Sequence, residues 1–96
     1  MLEKTKNITL SKKLEMAGGV MVYESLDLKE PVLAQVEQFY ECQRNKNSMA
    51  AMKLLIALVS SVPETVLGNM DFTDYKKCED YLMSFLTYVP SMDGNS

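Results

Sequence analysis

Leu26-Asp27-Leu28-Lys29-Glu30-Pro31 is the stretch where the spacing of apolar residues changes. Upstream, apolar residues fall on alternate positions: Ile8, Leu10, Leu14, Met16, then Val20, Val22, Leu26 and Leu28. Alternation is the mark of a half-buried strand. Downstream, apolar residues recur every third or fourth position, the period of an amphipathic helix. Pro31 stands at the change. It lacks a backbone N–H and holds φ near −65°, so it ends a paired strand and suits the first turn of a helix.

Working back from this junction, Ala17-Gly18-Gly19 separates the two alternating runs and reads as a hairpin turn. Two polar residues break the alternation, Lys12 and Glu24. A three-residue loop pairs Leu14 with Val22, Leu10 with Leu26 and Ile8 with Leu28, and it sets Lys12 opposite Glu24. Such loops are common, and an opposite-charge cross-strand pair is mildly stabilising. This register is therefore the expected one. A two-residue Gly18-Gly19 loop would instead set Leu14 opposite Tyr23 and mix the faces.

Working forward, a first helix is expected over residues 31–44, with Leu33, Val36, Tyr40 and Phe39 as its apolar stripe. Ser48 is a candidate N-cap for a second helix over residues 49–60, apolar almost all round except for Lys53. A helix apolar on every side is buried on every side. So small a domain has difficulty surrounding one, so part of this helix is expected to face a partner subunit. Pro63 and Gly68 bracket a short helix at 63–67. Asp71 reads as the N-cap of a last helix over 72–89, with Asp74 in its first turn, near the positive end of the helix dipole. Pro90 ends that helix. The expected fold is α+β: an N-terminal antiparallel β-hairpin (7–29) followed by a small helical bundle of three main helices and one short helix. It forms a single domain over 7–90, with a flexible segment at 1–6 and a disordered tail at 91–96.

Composition narrows the function. The chain has 96 residues and a net charge of −3, which provides no basic footprint for a nucleic acid. It has no histidine, the commonest general base and metal ligand. No Ser, Thr or Cys therefore has a histidine to activate it, and Gly18-Gly19 precedes a strand instead of the helix a phosphate-binding loop requires. No catalytic, cofactor-binding or metal-ligating set is expected. Cys42 and Cys78 fall outside any C-x-x-C spacing and read as small hydrophobes on helices. The longest apolar run, Leu54 to Val59, is far short of the ~20 residues of a membrane span. Eight methionines provide flexible apolar side chains that suit either core gaps or an adaptable binding surface. Among residues near the second and last helices, Met49, Met52 and Tyr81 are the candidates for partner binding.

Several short motifs carry a family resemblance. They are Ile8-Thr9-Leu10-Ser11-Lys12, the Leu26 to Pro31 junction, Leu55-Ile56-Ala57, Val62-Pro63-Glu64 and Asp74 early in the closing helix. Over residues 7 to 88 this layout resembles the tail assembly chaperones of contractile-tailed bacteriophages and prophages, which read T-L-S-K, L-x-L-R-E-P, L-I-A … L-P and then an Asp. Lys29 stands where Arg is usual, and Val62 where Leu is frequent. The resemblance implies a non-enzymatic protein of the host cell cytoplasm, absent from the mature virion. Its implied partner is the tape measure protein, held soluble before the tail tube forms. Self-association is expected, and the resemblance implies a longer frameshifted form diverging near residues 91–96. The alternative is an oligomeric adaptor or a structural component of the tail.

Overall fold

The computed structural model describes residues 2–90. The expected disordered tail at 91–96 lies outside the described residues, as does the point where a frameshifted form would diverge. The hairpin consists of β1 (Thr5–Glu15) and β2 (Val22–Lys29), joined through a 3-10 turn at Ala17–Gly19. Four helices follow: α1 (Leu33–Asn45), α2 (Ser48–Ser60), α3 (Glu64–Leu67) and α4 (Phe72–Leu86). The fold is α+β, a two-stranded antiparallel sheet with α2, α3 and α4 packed against it and α1 packed on α2.

The hairpin register is not the expected one. At the open end Ile8 pairs with Leu26 and Asn7 with Asp27, while at the turn end Leu14 pairs with Tyr23 and Glu15 with Val22. Between these, residues 10–13 of β1 stand against Glu24 alone, a large bulge. The turn-end pairing is the one a two-residue loop would produce. Faces do not mix, because the bulge resets the alternation and both Leu10 and Leu14 still reach the core. Gly18 and Gly19 hold φ of +83° and +67° in the turn, where a Cβ would be strained.

The bulge exists because α4 binds it. The Ser11 N–H and Oγ both donate to Asp74 Oδ2, at 3.0 and 2.9 Å. Lys12 Nζ lies 3.5 Å from Asp71 Oδ1, so its ion-pair partner is Asp71 and not Glu24. A pair of carboxylates at the start of α4 thus takes over the backbone and side chains that a regular ladder would have used.

Helix boundaries follow local chemistry. α1 begins at Leu33, where the Val32 N–H donates to Gln35 Oε1 at 3.0 Å. Asn47, not Ser48, caps α2: its Oδ1 accepts from the Ala50 N–H at 2.7 Å, and Ser48 is already helical. α4 stops at Leu86, three residues before the expected 89. Proline disfavours helical φ/ψ in the residue before it, so Pro90 unwinds the turn ahead of it. Thr87 closes the helix by donating its hydroxyl to the Met83 carbonyl at 2.8 Å.

The core is assembled from Ile8, Leu14, Leu26 and Leu28 of the hairpin, Phe39 of α1, Leu55 and Ile56 of α2, and Cys78 and Leu82 of α4. α2 is the central helix, although Lys53, Leu54, Ala57 and Leu58 are only half-buried. α1 departs most from expectation. Of its expected apolar stripe only Phe39 is buried, while Leu33 is 77% exposed, Tyr40 46% exposed and Val36 half-buried.

Candidate functional site

The densest cluster of polar side chains is the Ser11–Asp74 clamp. Asp74 is fully buried, with Oδ2 held by Ser11 and Oδ1 3.5 Å from Lys77 Nζ. Burial opposes its charged form, but the Ser11 hydrogen bonds and Lys77 outweigh that and hold the carboxyl below the ordinary aspartate value. Oδ2 is committed to Ser11, while Oδ1 accepts no hydrogen bond and has only the Lys77 ammonium nearby. The clamp is a structural lock between hairpin and helix. Burial, and then the Asp74 charge, push the Cys78 thiol up to about 11, which makes it inert at neutral pH. Among the described residues no group of His, Cys, Asp and Glu could hold a metal ion. No helix among them is long and apolar enough to cross a membrane.

The surface offers a different kind of site. An open groove of about 860 Å³ runs between the start of α1 and the end of α4. Val36 and Tyr40 form one wall, Phe85, Leu86 and Tyr88 the other, and Leu2 and Pro31 close one end. Lys4 and Glu30 form its charged rim, paired at 3.3 Å. Pro31 lies beside this rim two residues ahead of α1, and not inside the helix as expected, so the strand–helix junction positions the groove's first wall. Tyr81 holds the second wall in place. Its hydroxyl donates to the Glu3 carbonyl at 2.7 Å, tying the N-terminal segment to α4. Leu33 lies one turn before Val36 and extends the apolar wall beyond the groove.

A second, smaller groove of about 390 Å³ lies between the start of α2 and the start of α4. Met49, Met70, Phe72 and Tyr75 line it, with Lys53 at its edge. Met49 is 56% exposed there. Met52 and Tyr81 are instead packed in the core, 3% and 7% exposed. Of the three sequence candidates, Met49 is therefore the one at the surface.

The sequence does not announce the larger groove, because Leu33, Val36, Tyr40 and Phe39 read together as one apolar stripe of the first helix. One signal was available. Phe39 lies about 60° around the helix from Val36 but about 100° from Tyr40 and about 120° from Leu33, so the four residues could not all face the same way. Gln35, whose amide reaches the Leu58 carbonyl at 3.4 Å, shares the inward side with Phe39.

No curated protein and no solved structure matches this chain. A family model does, over residues 7–87, and its description is phage tail assembly chaperone proteins, E, or 41 or 14. The match takes in the hairpin from Asn7 onward, the Ser11–Asp74 clamp and all four helices. The chain belongs to this phage tail assembly chaperone family.

Proposed function

We propose that this protein binds the phage tape measure protein during tail assembly and keeps an amphipathic helix of that partner in solution, without catalysis. The observation that carries the reading is the open apolar groove between α1 and α4. A helix laid in such a groove buries residues spaced three and four apart against its walls. Val36, Tyr40 and Leu86 provide those walls, and Leu33 offers one further contact. An apolar surface of this kind on a small soluble domain is otherwise an aggregation hazard, which a transient partner relieves. Met49 belongs to the same role at the second groove, and Met52 and Tyr81 support it from below by fixing α2 and α4. The protein acts in the host cell cytoplasm, self-associates, leaves before the virion is complete and shares its domain with a longer frameshifted form.

Coexpression with the tape measure protein tests this. The expected result is a soluble, copurifying complex, and Tyr40→Asp should weaken capture about tenfold or more, a loss on the scale of one interface hot spot. Unchanged solubility of the tape measure protein with nothing copurifying would overturn the proposal. Mass spectrometry of purified particles addresses the alternative of a structural tail component, which would be present in them.

A further inference from the structure

Along one flank of α4 runs an apolar stripe that is only partly covered: Tyr75 and Leu86 lean on the core, while Phe72 and Met83 reach solvent. Phe72, Tyr75, Glu79, Met83 and Leu86 follow one another at three- and four-residue steps, so they share one side of the helix. Phe72 is 59% exposed and Met83 37%, while Tyr75, Glu79 and Leu86 are half-buried. The rings of Phe72 and Tyr75 stack with centroids 5.6 Å apart, and Lys76 Nζ sits 5.8 Å from the Phe72 centroid. The charged residue in the middle, Glu79, accepts from Lys76 Nζ at 2.7 Å.

This pattern is symmetric about Glu79. Counting outward, Tyr75 and Met83 lie four residues to either side, and Phe72 and Leu86 lie seven. We propose that two copies of the chain associate through this stripe as a two-fold dimer of antiparallel α4 helices. Turning one helix end for end about Glu79 brings Phe72 against the partner's Leu86 and Tyr75 against the partner's Met83. Aromatic and aliphatic groups therefore meet at both ends. In the middle, Lys76 lies only about 4.5 Å along the axis from the two-fold, three residues at 1.5 Å each. Each Glu79 then stands between its own Lys76 and the partner's, so the four central charges alternate in sign. Like charges alone at the two-fold would repel, and an uncharged centre would leave the register loose. The alternating set specifies both orientation and register. Isologous contacts of this self-complementary kind are the commonest in homo-oligomers. This surface serves the proposed self-association and shares Leu86 with the larger groove and Phe72 and Tyr75 with the smaller one, so it is tested on the chain alone, without the tape measure protein.

The stripe is short. Fifteen residues of helix span about 22 Å, and one helix face is smaller than the ~800 Å² per partner of a standard interface. A weak dimer is expected, with a dissociation constant on the order of tens of micromolar.

The test uses the full chain alone. Sedimentation equilibrium should show a monomer–dimer system, and Phe72→Asp with Met83→Glu should shift it to monomer at unchanged helical circular dichroism. A disulfide at the axis provides an independent readout. In a Cys42→Ser background, Glu79→Cys should oxidise to a covalent dimer, whereas Asp80→Cys, pointing away from the stripe, should not. A wild-type chain that stays monomeric at about 500 μM, well above the dissociation constant expected for so small an interface, would overturn the proposal. So would a dimer that survives the double substitution, or equal cross-linking through positions 79 and 80.

Discussion

The lock between Ser11 and Asp74 fixes β1 against α4, and Asp74→Ala tests it. The wild-type carboxylate accepts two hydrogen bonds through one oxygen and lies 3.5 Å from Lys77 through the other. A hydrogen bond to a charged group contributes about 1.5–3 kcal/mol, and a buried donor left without a partner costs about 1–3 kcal/mol. Asp74→Ala removes both bonds, strands the Ser11 N–H and opens a small void. A loss of about 3–4 kcal/mol is expected, a large share of the stability of a small domain. Ser11→Ala keeps the backbone bond, removes the hydroxyl's bond to Asp74 and its longer 3.4 Å bond to Asp71, and should cost about 1–2 kcal/mol. Because Ser11 and Asp74 share a hydroxyl bond, the double variant should be about 1 kcal/mol or more better than additive. The assay is urea unfolding followed by circular dichroism, read as a shift in midpoint at constant slope. A cost below about 0.5 kcal/mol for Asp74→Ala, the level of an ordinary surface substitution, would refute the lock, as would strict additivity with Ser11→Ala.

The same carboxylate makes stability depend on pH. The folded-state pKa of Asp74 lies below the ordinary value of 3.8. Its contribution is therefore fully present above that ordinary value and is lost as pH falls through the lower, folded value. Asp74→Asn should be less stable than wild type at neutral pH and should lose less of its stability between neutral pH and the region below pH 3.8. Comparing urea midpoints of the two proteins across that range checks the sign.

Three further outcomes are expected. Lys12→Glu should cost at most about 1 kcal/mol through repulsion with Asp71, since the pair is exposed, and adding Glu24→Lys should restore nothing; recovery on adding Glu24→Lys in thermal melts would reinstate the regular hairpin register. Met52→Ala should destabilise by about 2–5 kcal/mol and Met49→Ala by less than about 0.5 kcal/mol, because only Met52 is enclosed; equal midpoints in denaturant would contradict their different burial. A thiol reagent at neutral pH should modify half-buried Cys42 in the native protein and reach Cys78 only on unfolding, and rapid native labelling of both would contradict the burial of Cys78 and its raised pKa.

The candidate site was only partly legible from the chain. Met49 is at the surface because it lies in the first turn of α2 and has no preceding turn to shelter it. Met52 and Tyr81 lie inside, because their positions on α2 and α4 face the hairpin and the N-terminal segment. Which residues of a helix face inward is decided by its neighbours. α1 has apolar residues on two sides, Phe39 on one and Leu33 and Tyr40 on the other, with half-buried Val36 between them. Periodicity identifies each stripe, but it does not identify the one that α2 will cover.

The sequence by itself determined the class of the fold and the order of its elements. The change of spacing at Leu26 to Pro31 separates hairpin from helices because side-chain direction has period two in a strand and about 3.6 in a helix, and these are local properties of the backbone. Motifs spread along the chain were also enough to indicate the family. Only the tertiary structure decided the hairpin register and the exposed stripe of α1. Asp71 and Asp74 lie some sixty residues beyond Ser11 and Lys12 in sequence, and they compete with Glu24 for the same strand. The buried, charge-assisted bonds to Ser11 outweigh an exposed cross-strand ion pair, so β1 bulges and the junction follows. No local pattern reveals that competition, because its winning partner arrives only when α4 packs against the strand.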